Sequence, residues 1–214
     1  MNSTGGVILV ADDHPLFRQA MMMAVMRVRP DCRIVEAATL DHAIQAAADT
    51  SDLVMILLDL KMPGATGFSG VALLHAERPS VPILVVSSAD ADIAAQEARR
   101  FGAVGFIGKD QDLDAIEQAI AAALSGERPA LPPIAPESQP VDDMAEKVAS
   151  LTPTQLRVLL GVLDGRLNKQ IAYDLGVTEA TVKAHMTAVL GKLGVQNRTQ
   201  AALAARALGI GMQH

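Results

Sequence analysis

The segment VILVADD, residues 7–13, is a run of apolar residues that ends in two carboxylates. Three later segments share this design: LVMILLDL at 53–60, PILVVSS at 82–88 and VGFIGK at 104–109. Apolar runs of this length, separated by helical segments, are typical of buried parallel strands. Ligands bind at the carboxyl edge of open parallel sheets. We therefore expect the polar residues that close these runs to meet at one edge: Asp12, Asp13, Asp59, Ser87 and Lys109.

Predicted strands and helices alternate five times in the first part of the chain. The strands are predicted at residues 7–11, 33–36, 53–59, 83–87 and 105–107, and the helices at 15–29, 40–48, 68–78, 91–100 and 112–124. Alternation with short connections implies right-handed crossovers and a parallel sheet covered on both faces. The sequence therefore predicts a doubly wound α/β domain.

A proline-rich segment follows this domain. Residues 126–150 contain five prolines among small and polar residues, which is typical of a semi-rigid linker, and residues 141–150 are compatible with a helix. Four further helices are predicted, with starts at Thr152-Pro153, Asn168, Thr178 and Asn197. The tight turn LGVT at 175–178 is typical of a helix-turn-helix. We expect a first domain at 1–125, a linker at 126–147 and a helical domain at 148–214.

Charge is distributed unevenly along the chain, whose formal net charge is −6. Residues 1–150 hold 11 Lys and Arg against 21 Asp and Glu, a net charge of −10, whereas residues 151–214 hold 7 against 3, a net charge of +4. This asymmetry indicates that only the second part meets a polyanion. With one tyrosine and no tryptophan, the chain lacks the aromatic surfaces of proteins that stack single-stranded bases.

The start of the chain and its apolar runs predict where the protein acts. The first residues, MNSTGG, have neither the basic nor the apolar region of a signal peptide. The apolar runs are too short to span a bilayer, and the single cysteine, Cys32, excludes an intramolecular disulfide. We therefore expect a cytoplasmic protein without a membrane partner.

The polar residues at the predicted sheet edge suit phosphoryl transfer to a carboxylate. A carboxylate attacks an anionic phosphoryl group only when a metal ion neutralises the charge between them, and Mg²⁺ prefers oxygen ligands. Asp12 and Asp13 would bind the ion, and Asp59 would supply the attacking oxygen. Lys109 would pair with the phosphoryl oxygens and Ser87 would donate a hydrogen bond to one of them. Each residue alone also fits a helix cap, a turn or a surface ion pair, but their joint position at strand ends favours a site.

The motifs VADDHP, LLDLKMPG, VVSS and GFIGKD resemble those of the receiver domains of two-component response regulators, over about residues 5–125. The resemblance implies a CheY-like, flavodoxin-like sheet with strand order 2-1-3-4-5, and phosphorylation of Asp59 by a sensor histidine kinase. It also implies a bound Mg²⁺ ion. Asp13, Asp59 and the backbone carbonyl of Lys61 would be its protein ligands, and Asp12 would bind it through a water molecule. The resemblance also assigns Ser87 as the switch hydroxyl and Phe106 as the switch aromatic, a position more often occupied by tyrosine.

The motifs LTPTQLRVL, NKQIAYDLGVTEATVKAHM and VLGKLGV resemble the LuxR-type helix-turn-helix of the NarL/FixJ family, over about residues 148–212. This resemblance implies a small all-α domain of four helices whose recognition helix enters the major groove. Lys183 is then expected to contact bases or phosphate, with Ala184 and Thr187 on the same exposed face. Thr181 and Lys169 are expected to hold phosphates. The chain departs from the family pattern in having Gln155 instead of the usual glutamate, and Thr187 lacks the positive charge that some relatives have at this position.

Together these patterns predict a transcriptional regulator that is not an enzyme. Phosphorylation of Asp59 would shift an equilibrium toward a homodimer that binds double-stranded promoter DNA, with residues 199–208 as the dimer contact. The unmodified receiver would either mask the recognition helix or fail to dimerise. One alternative is a receiver that takes no phosphate and acts as a constitutive binding module. Another is an aspartate-based phosphatase, but LKMPG after Asp59 offers neither a cap domain nor a second aspartate as general acid.

Overall fold

The first part of the chain is a five-stranded parallel sheet. The computed structural model describes residues 5–88, 91–126, 139–208 and 210, and their side chains except those of 91–93 and 139–142. The strand order is β2-β1-β3-β4-β5, which confirms the predicted doubly wound fold. The strands are β1 Val7–Ala11, β2 Arg33–Ala37, β3 Leu53–Leu58, β4 Ile83–Ser87 and β5 Ala103–Gly108.

Five helices cover the two faces of this sheet. They are α1 Pro15–Val28, α2 Leu40–Asp49, α3 Ser69–Glu77, α4 Ala91–Arg100 and α5 Leu113–Ser125. Helices α1 and α5 pack together over one face, where Ile8 and Val10 are buried, while α2, α3 and α4 cover the other face, where Leu9 is buried. Because alternate residues of β1 point to opposite, equally buried faces, the strand is apolar at every position.

The second part of the chain is helical. It consists of α6 Gln139–Ala149, α7 Pro153–Leu163, α8 Asn168–Leu175, α9 Glu179–Leu193 and α10 Arg198–Ala207. Of the predicted linker, residues 127–138 lie outside the described residues, and its end belongs to α6. Helix α9 packs against α7 and α8.

Local hydrogen bonds explain where the helices of the second part begin. Thr152 and Gln155 form a reciprocal capping box at the start of α7, so glutamine fills the role that glutamate has in the usual motif. The prediction that Asn168 caps α8 is wrong: Asn168 is the first helical residue and Leu167 is the N-cap. The Leu167 amide donates to Gln170 Oε1 at 2.7 Å, and this contact replaces a polar cap side chain.

The two parts of the chain touch through the α2–α3–α4 face of the sheet domain. Helix α3 packs against α6 and α7, and α4 packs against α6. The backbones of Gly67 and Ile210 form an isolated antiparallel bridge. The apolar cluster of this face continues into the helical part through residues such as Val148 and Leu159. Among the described residues, no helix combines the length and apolar character needed to cross a bilayer.

The side chain of Arg78 joins α3 to the end of α2. Its guanidinium donates to the carbonyl oxygens of Ala47 at 2.6 Å, Ala48 at 2.9 Å and Thr50 at 2.8 Å. These are the carbonyls that a helix end leaves unpaired, and a cation is favourable there. We expect Arg78→Ala to lower the free energy of unfolding by about 2 kcal/mol, measured by urea denaturation of the full chain with circular dichroism.

A surface arginine provides the matched control for this measurement. Within the described ranges of the chain, the Arg33 side chain forms one contact, an exposed ion pair with Asp52 at 3.9 Å, so Arg33→Ala is expected to cost less than about 1 kcal/mol. Equal denaturation midpoints for the two variants would contradict a structural role for the Arg78 contacts.

Candidate functional site

Three carboxylates meet where β1 and β3 end. Asp12 and Asp13 directly follow β1, and Asp59 directly follows β3. The Asp59 amide donates to the carbonyl of Ala11 at 2.8 Å, which extends the strand pairing up to the site. The side chain of Asp12 is 0% exposed, that of Asp59 is 1% exposed and that of Asp13 is 31% exposed. The structure thus brings the predicted acidic residues together in a largely buried position.

One ammonium group stands between two of these carboxylates. Lys109 Nζ donates to Asp59 Oδ2 at 2.7 Å, and lies 2.6 Å from Asp12 Oδ2 in an ion pair that lacks hydrogen-bond alignment. The same nitrogen lies 4.8 Å from the centre of the Phe17 ring. Two buried carboxylates therefore share one lysine, and the carboxylate of Asp13 lies beside them. Because a buried charge is costly unless it is paired, a further cation would stabilise this arrangement.

The donor set at this position suits a hard divalent cation. Ligand atoms of Asp12, Asp13, His14 and Asp59 lie within 4.8 Å of one another. Asp12 Oδ2 and Asp13 Oδ1 are buried and accept no hydrogen bond from the residues that the structure describes, so their lone pairs can coordinate a metal. Carboxylate oxygens are the ligands that Mg²⁺ prefers. His14 Nδ1 lies 2.6 Å from Asp13 Oδ1, so this imidazole pairs with the carboxylate that lies nearest the surface.

Ser87 brings a hydroxyl to the same edge of the sheet. Its side chain is fully buried, and its Oγ finds no hydrogen-bond partner within the described part of the chain. Buried hydroxyls are normally paired, so an unpaired one beside a candidate ligand site is a free donor. The Lys109 amide donates to the Ser87 carbonyl at 3.0 Å, which links the ends of β4 and β5.

Phe106 and Lys61 are the two remaining residues that the receiver motifs single out. Phe106 lies on β5 and packs, half-buried, against the α2–α3–α4 core. The Lys61 amide donates to Asp59 Oδ1 at 3.1 Å, while its side chain is exposed. Both oxygens of Asp59 are therefore oriented, one by Lys61 and the other by Lys109.

Two residues near the carboxylates were not identified from the sequence. His14 follows the acidic pair, and its amide donates to Asp12 Oδ1 at 2.7 Å. Arg18, one turn further along, donates to the Asp12 carbonyl at 2.7 Å and to Glu36 at 2.8 Å. A basic residue at the start of a helix has many possible partners, so no sequence pattern singles out Arg18; its contacts depend on how α1 lies against β2.

The exposed face of α9 carries the residues expected to meet DNA. Val182, Met186, Val189 and Leu193 are buried, whereas Lys183, Ala184 and Thr187 are exposed. The Lys183 side chain is 64% exposed in the full chain, so the receiver does not cover it in this arrangement. One of the two predictions for the unmodified protein was that the receiver masks the recognition helix. In this structure the helix is not masked.

The two residues expected to hold phosphates have different surroundings. Lys169 is exposed near the start of α8. Thr181 is half-buried, and its hydroxyl lies 2.8 Å from the hydroxyl of Thr178, the N-cap of α9. Thr181 therefore takes part in the cap of the recognition helix, beside any contact with DNA.

Comparison with known proteins gives the same two-part division. Residues 8–121 match the family "Response regulator receiver domain", and residues 149–205 match "Bacterial regulatory proteins, luxR family". The glycerol metabolism activator of Pseudomonas putida is 40% identical over 207 residues, which cover 92% of this chain and 94% of that protein. The nitrate/nitrite response regulator protein NarL of Escherichia coli K12 is 32% identical over 208 residues, covering 94% and 95%.

Solved structures agree with this relationship. Full-length FixJ from B. japonicum is 25% identical, covers 96% of this chain and 98% of its own, and has a TM-score of 0.50. The match spans both the sheet domain and the helical domain. The chain therefore belongs to the NarL/FixJ family of two-component response regulators, with a receiver domain followed by a LuxR-type DNA-binding domain.

Proposed function

We propose that a sensor histidine kinase phosphorylates this transcriptional response regulator on Asp59. The observation that carries the proposal is the cluster of Asp12, Asp13 and Asp59, two of which pair with Lys109, with the unpaired Ser87 hydroxyl at the same sheet edge. Bound Mg²⁺ would supply the positive charge that lets a carboxylate approach a phosphoryl donor. Its ligands would be Asp12, Asp13, Asp59 and the backbone carbonyl of Lys61.

The side chains around Asp59 have separate roles in this reaction. A carboxylate oxygen of Asp59 attacks phosphorus, and the bond from phosphorus to the histidine nitrogen of the kinase breaks. Lys109 then exchanges its hydrogen bond to Asp59 Oδ2 for one to a phosphoryl oxygen. Ser87 donates its free hydroxyl to another phosphoryl oxygen. As Ser87 moves inward, Phe106 turns from its half-buried position into the space that is vacated.

Phosphorylation acts on dimerisation in this proposal, and not on access to the recognition helix. The outer face of α9 is already exposed beside the receiver, so uncovering it would add nothing. A single helix-turn-helix lacks the second half-site contact that a dimer gains at high effective concentration. Helix α10, which includes most of residues 199–208, presents Leu203 with 63% exposure, an apolar group suited to a dimer contact.

The proposed partner is double-stranded promoter DNA. Lys183 would contact bases or phosphate in the major groove, next to Ala184 and Thr187, and Lys169 and Thr181 would contact phosphates. We assign residues 1–125 to the receiver, 126–147 to the linker and 148–214 to the DNA-binding domain. The protein would act in the cytoplasm, where its DNA target lies, and would not be an enzyme in its own right.

The phosphorylation proposal is tested by incubating the full chain with acetyl phosphate, with and without Mg²⁺. With Mg²⁺ we expect intact-mass spectrometry to detect one added phosphoryl group, and sedimentation velocity to detect a shift from monomer to dimer. Without Mg²⁺ neither change is expected, because three carboxylates would repel the donor. A wild-type protein that takes no phosphoryl group under either condition would favour the constitutive binding module.

A further inference from the structure

Glu179 lies on the same line of the recognition helix as Lys183. It is the first residue of α9, directly after the N-cap Thr178. Its Oε1 lies 3.0 Å from Lys183 Nζ one turn away, with the side chains 47% and 64% exposed. Thr187 is exposed one turn further on. The first turns of a recognition helix face the base edges, so Glu179 stands where sequence is read.

A carboxylate at this position has narrow chemistry toward DNA. It is repelled by phosphates, and in the major groove it can only accept hydrogen bonds. The groove donors are the amino groups of cytosine N4 and adenine N6, and beside the adenine amino group lies the acceptor N7, which repels a carboxylate. Guanine presents the acceptors O6 and N7 in the major groove, and thymine presents the acceptor O4, so both bases repel a carboxylate. Cytosine is therefore the base that Glu179 fits.

Beside Glu179 and Lys183, the neighbouring side chains that the structure describes on this face offer no free polar group for hydrogen bonds to base edges. The Thr187 hydroxyl donates to the Lys183 carbonyl at 3.0 Å, so its donor is engaged by its own helix and its methyl group is left for the groove. Ala184 offers only a methyl group. Lys183 is a donor that fits guanine O6 and N7, and Glu179 is the complementary acceptor.

A purely structural role for Glu179 is also well defined. An acidic residue in the first turn of a helix and a Glu–Lys pair four residues apart each stabilise a helix slightly. Loss of that role would change the stability of α9 but would leave the base preference of the protein unchanged. The two roles therefore differ in a measurable property.

We propose that Glu179 is a specificity-determining residue that selects cytosine next to the base pair contacted by Lys183. This inference rests on the proposed function, since it requires α9 to enter the major groove. The same carboxylate disfavours guanine and thymine at that position and lowers affinity for DNA of unrelated sequence, because it adds negative charge to the contact face of a domain that is otherwise basic.

The experiment is enrichment of bound sequences from a randomised double-stranded DNA pool. The full chain, incubated with acetyl phosphate and Mg²⁺, is expected to enrich a motif with cytosine at one position of each half-site. Glu179→Gln should lose the cytosine preference by about tenfold and favour adenine there, because an amide can pair with adenine N6 and N7. The other motif positions should persist, and affinity for unrelated DNA should rise.

A second variant controls for charge alone. Asp164→Asn removes the same charge from the exposed C-cap of α7, outside the recognition helix, and is expected to leave the motif unchanged. A motif that Glu179→Gln also leaves unchanged would overturn the inference and keep the proposed function. A wild-type pool without any enriched motif would overturn DNA binding itself, and the inference with it.

Discussion

Asp59→Asn is expected to take up no phosphoryl group under conditions in which the wild type carries one. The amide that replaces the carboxylate has no anionic oxygen to attack phosphorus, whereas in the wild type the Lys61 amide and Lys109 Nζ orient both oxygens of Asp59. The Lys61 amide lies 3.1 Å from Asp59 Oδ1, and Lys109 Nζ lies 2.7 Å from Asp59 Oδ2. Intact-mass spectrometry after treatment with acetyl phosphate and Mg²⁺ measures this directly.

The fold of this variant should survive the substitution. Lys109 keeps its ion pair with Asp12 at 2.6 Å, and the variant removes one of three clustered negative charges. Circular dichroism and urea denaturation should therefore give a folded protein of at least wild-type stability. Asp52→Asn is the matched control, since Asp52 directly precedes the same strand β3 but is exposed at its opposite end. An adduct that persists in Asp59→Asn would move the acceptor to another residue.

Lys183→Ala is expected to weaken binding to the enriched duplex on the order of tenfold to a hundredfold. The substitution removes a donor for guanine or phosphate and leaves the Glu179 carboxylate without its partner at 3.0 Å, facing the DNA. Both changes act in the same direction. Fluorescence anisotropy with the duplex at several salt concentrations measures the affinity. If Lys183 contacts a phosphate, the dependence of affinity on salt should also become shallower by about one ion.

A second lysine of the same helix provides the control for lost charge. Lys192 Nζ donates to the Ser150 carbonyl at 2.8 Å, which directs it toward the end of α6. Lys192→Ala therefore removes the same formal charge with a smaller expected loss of affinity. Equal affinities of Lys183→Ala and the wild type would remove Lys183 from the contact surface. Phosphorylation of Asp59 should be unchanged in both variants.

The sequence by itself determined the class of fold and the residues that meet at the sheet edge. Strands such as β1 are apolar at every position because both faces are buried, and this pattern is local. In a parallel sheet the carboxyl ends of the strands lie at one edge, so the sequence alone predicted that Asp12, Asp59 and Lys109 lie close together. Helices α7 to α10 of the second part could also be predicted from the sequence, because residues such as Thr152 and Gln155 cap a helix within three positions.

Only the tertiary structure decided which contacts these residues make with distant ones. Arg18 donates to the Asp12 carbonyl, and Arg78 donates to carbonyls at the end of α2. These contacts could not be predicted, because a long side chain can reach many partners and the choice depends on how the helices lie across the sheet. The exposure of α9 beside the receiver depends on the packing of α3 against α7. Such arrangements are set by side-chain shape and charge between segments far apart in the chain, whereas strand and helix patterns arise within a few neighbouring residues.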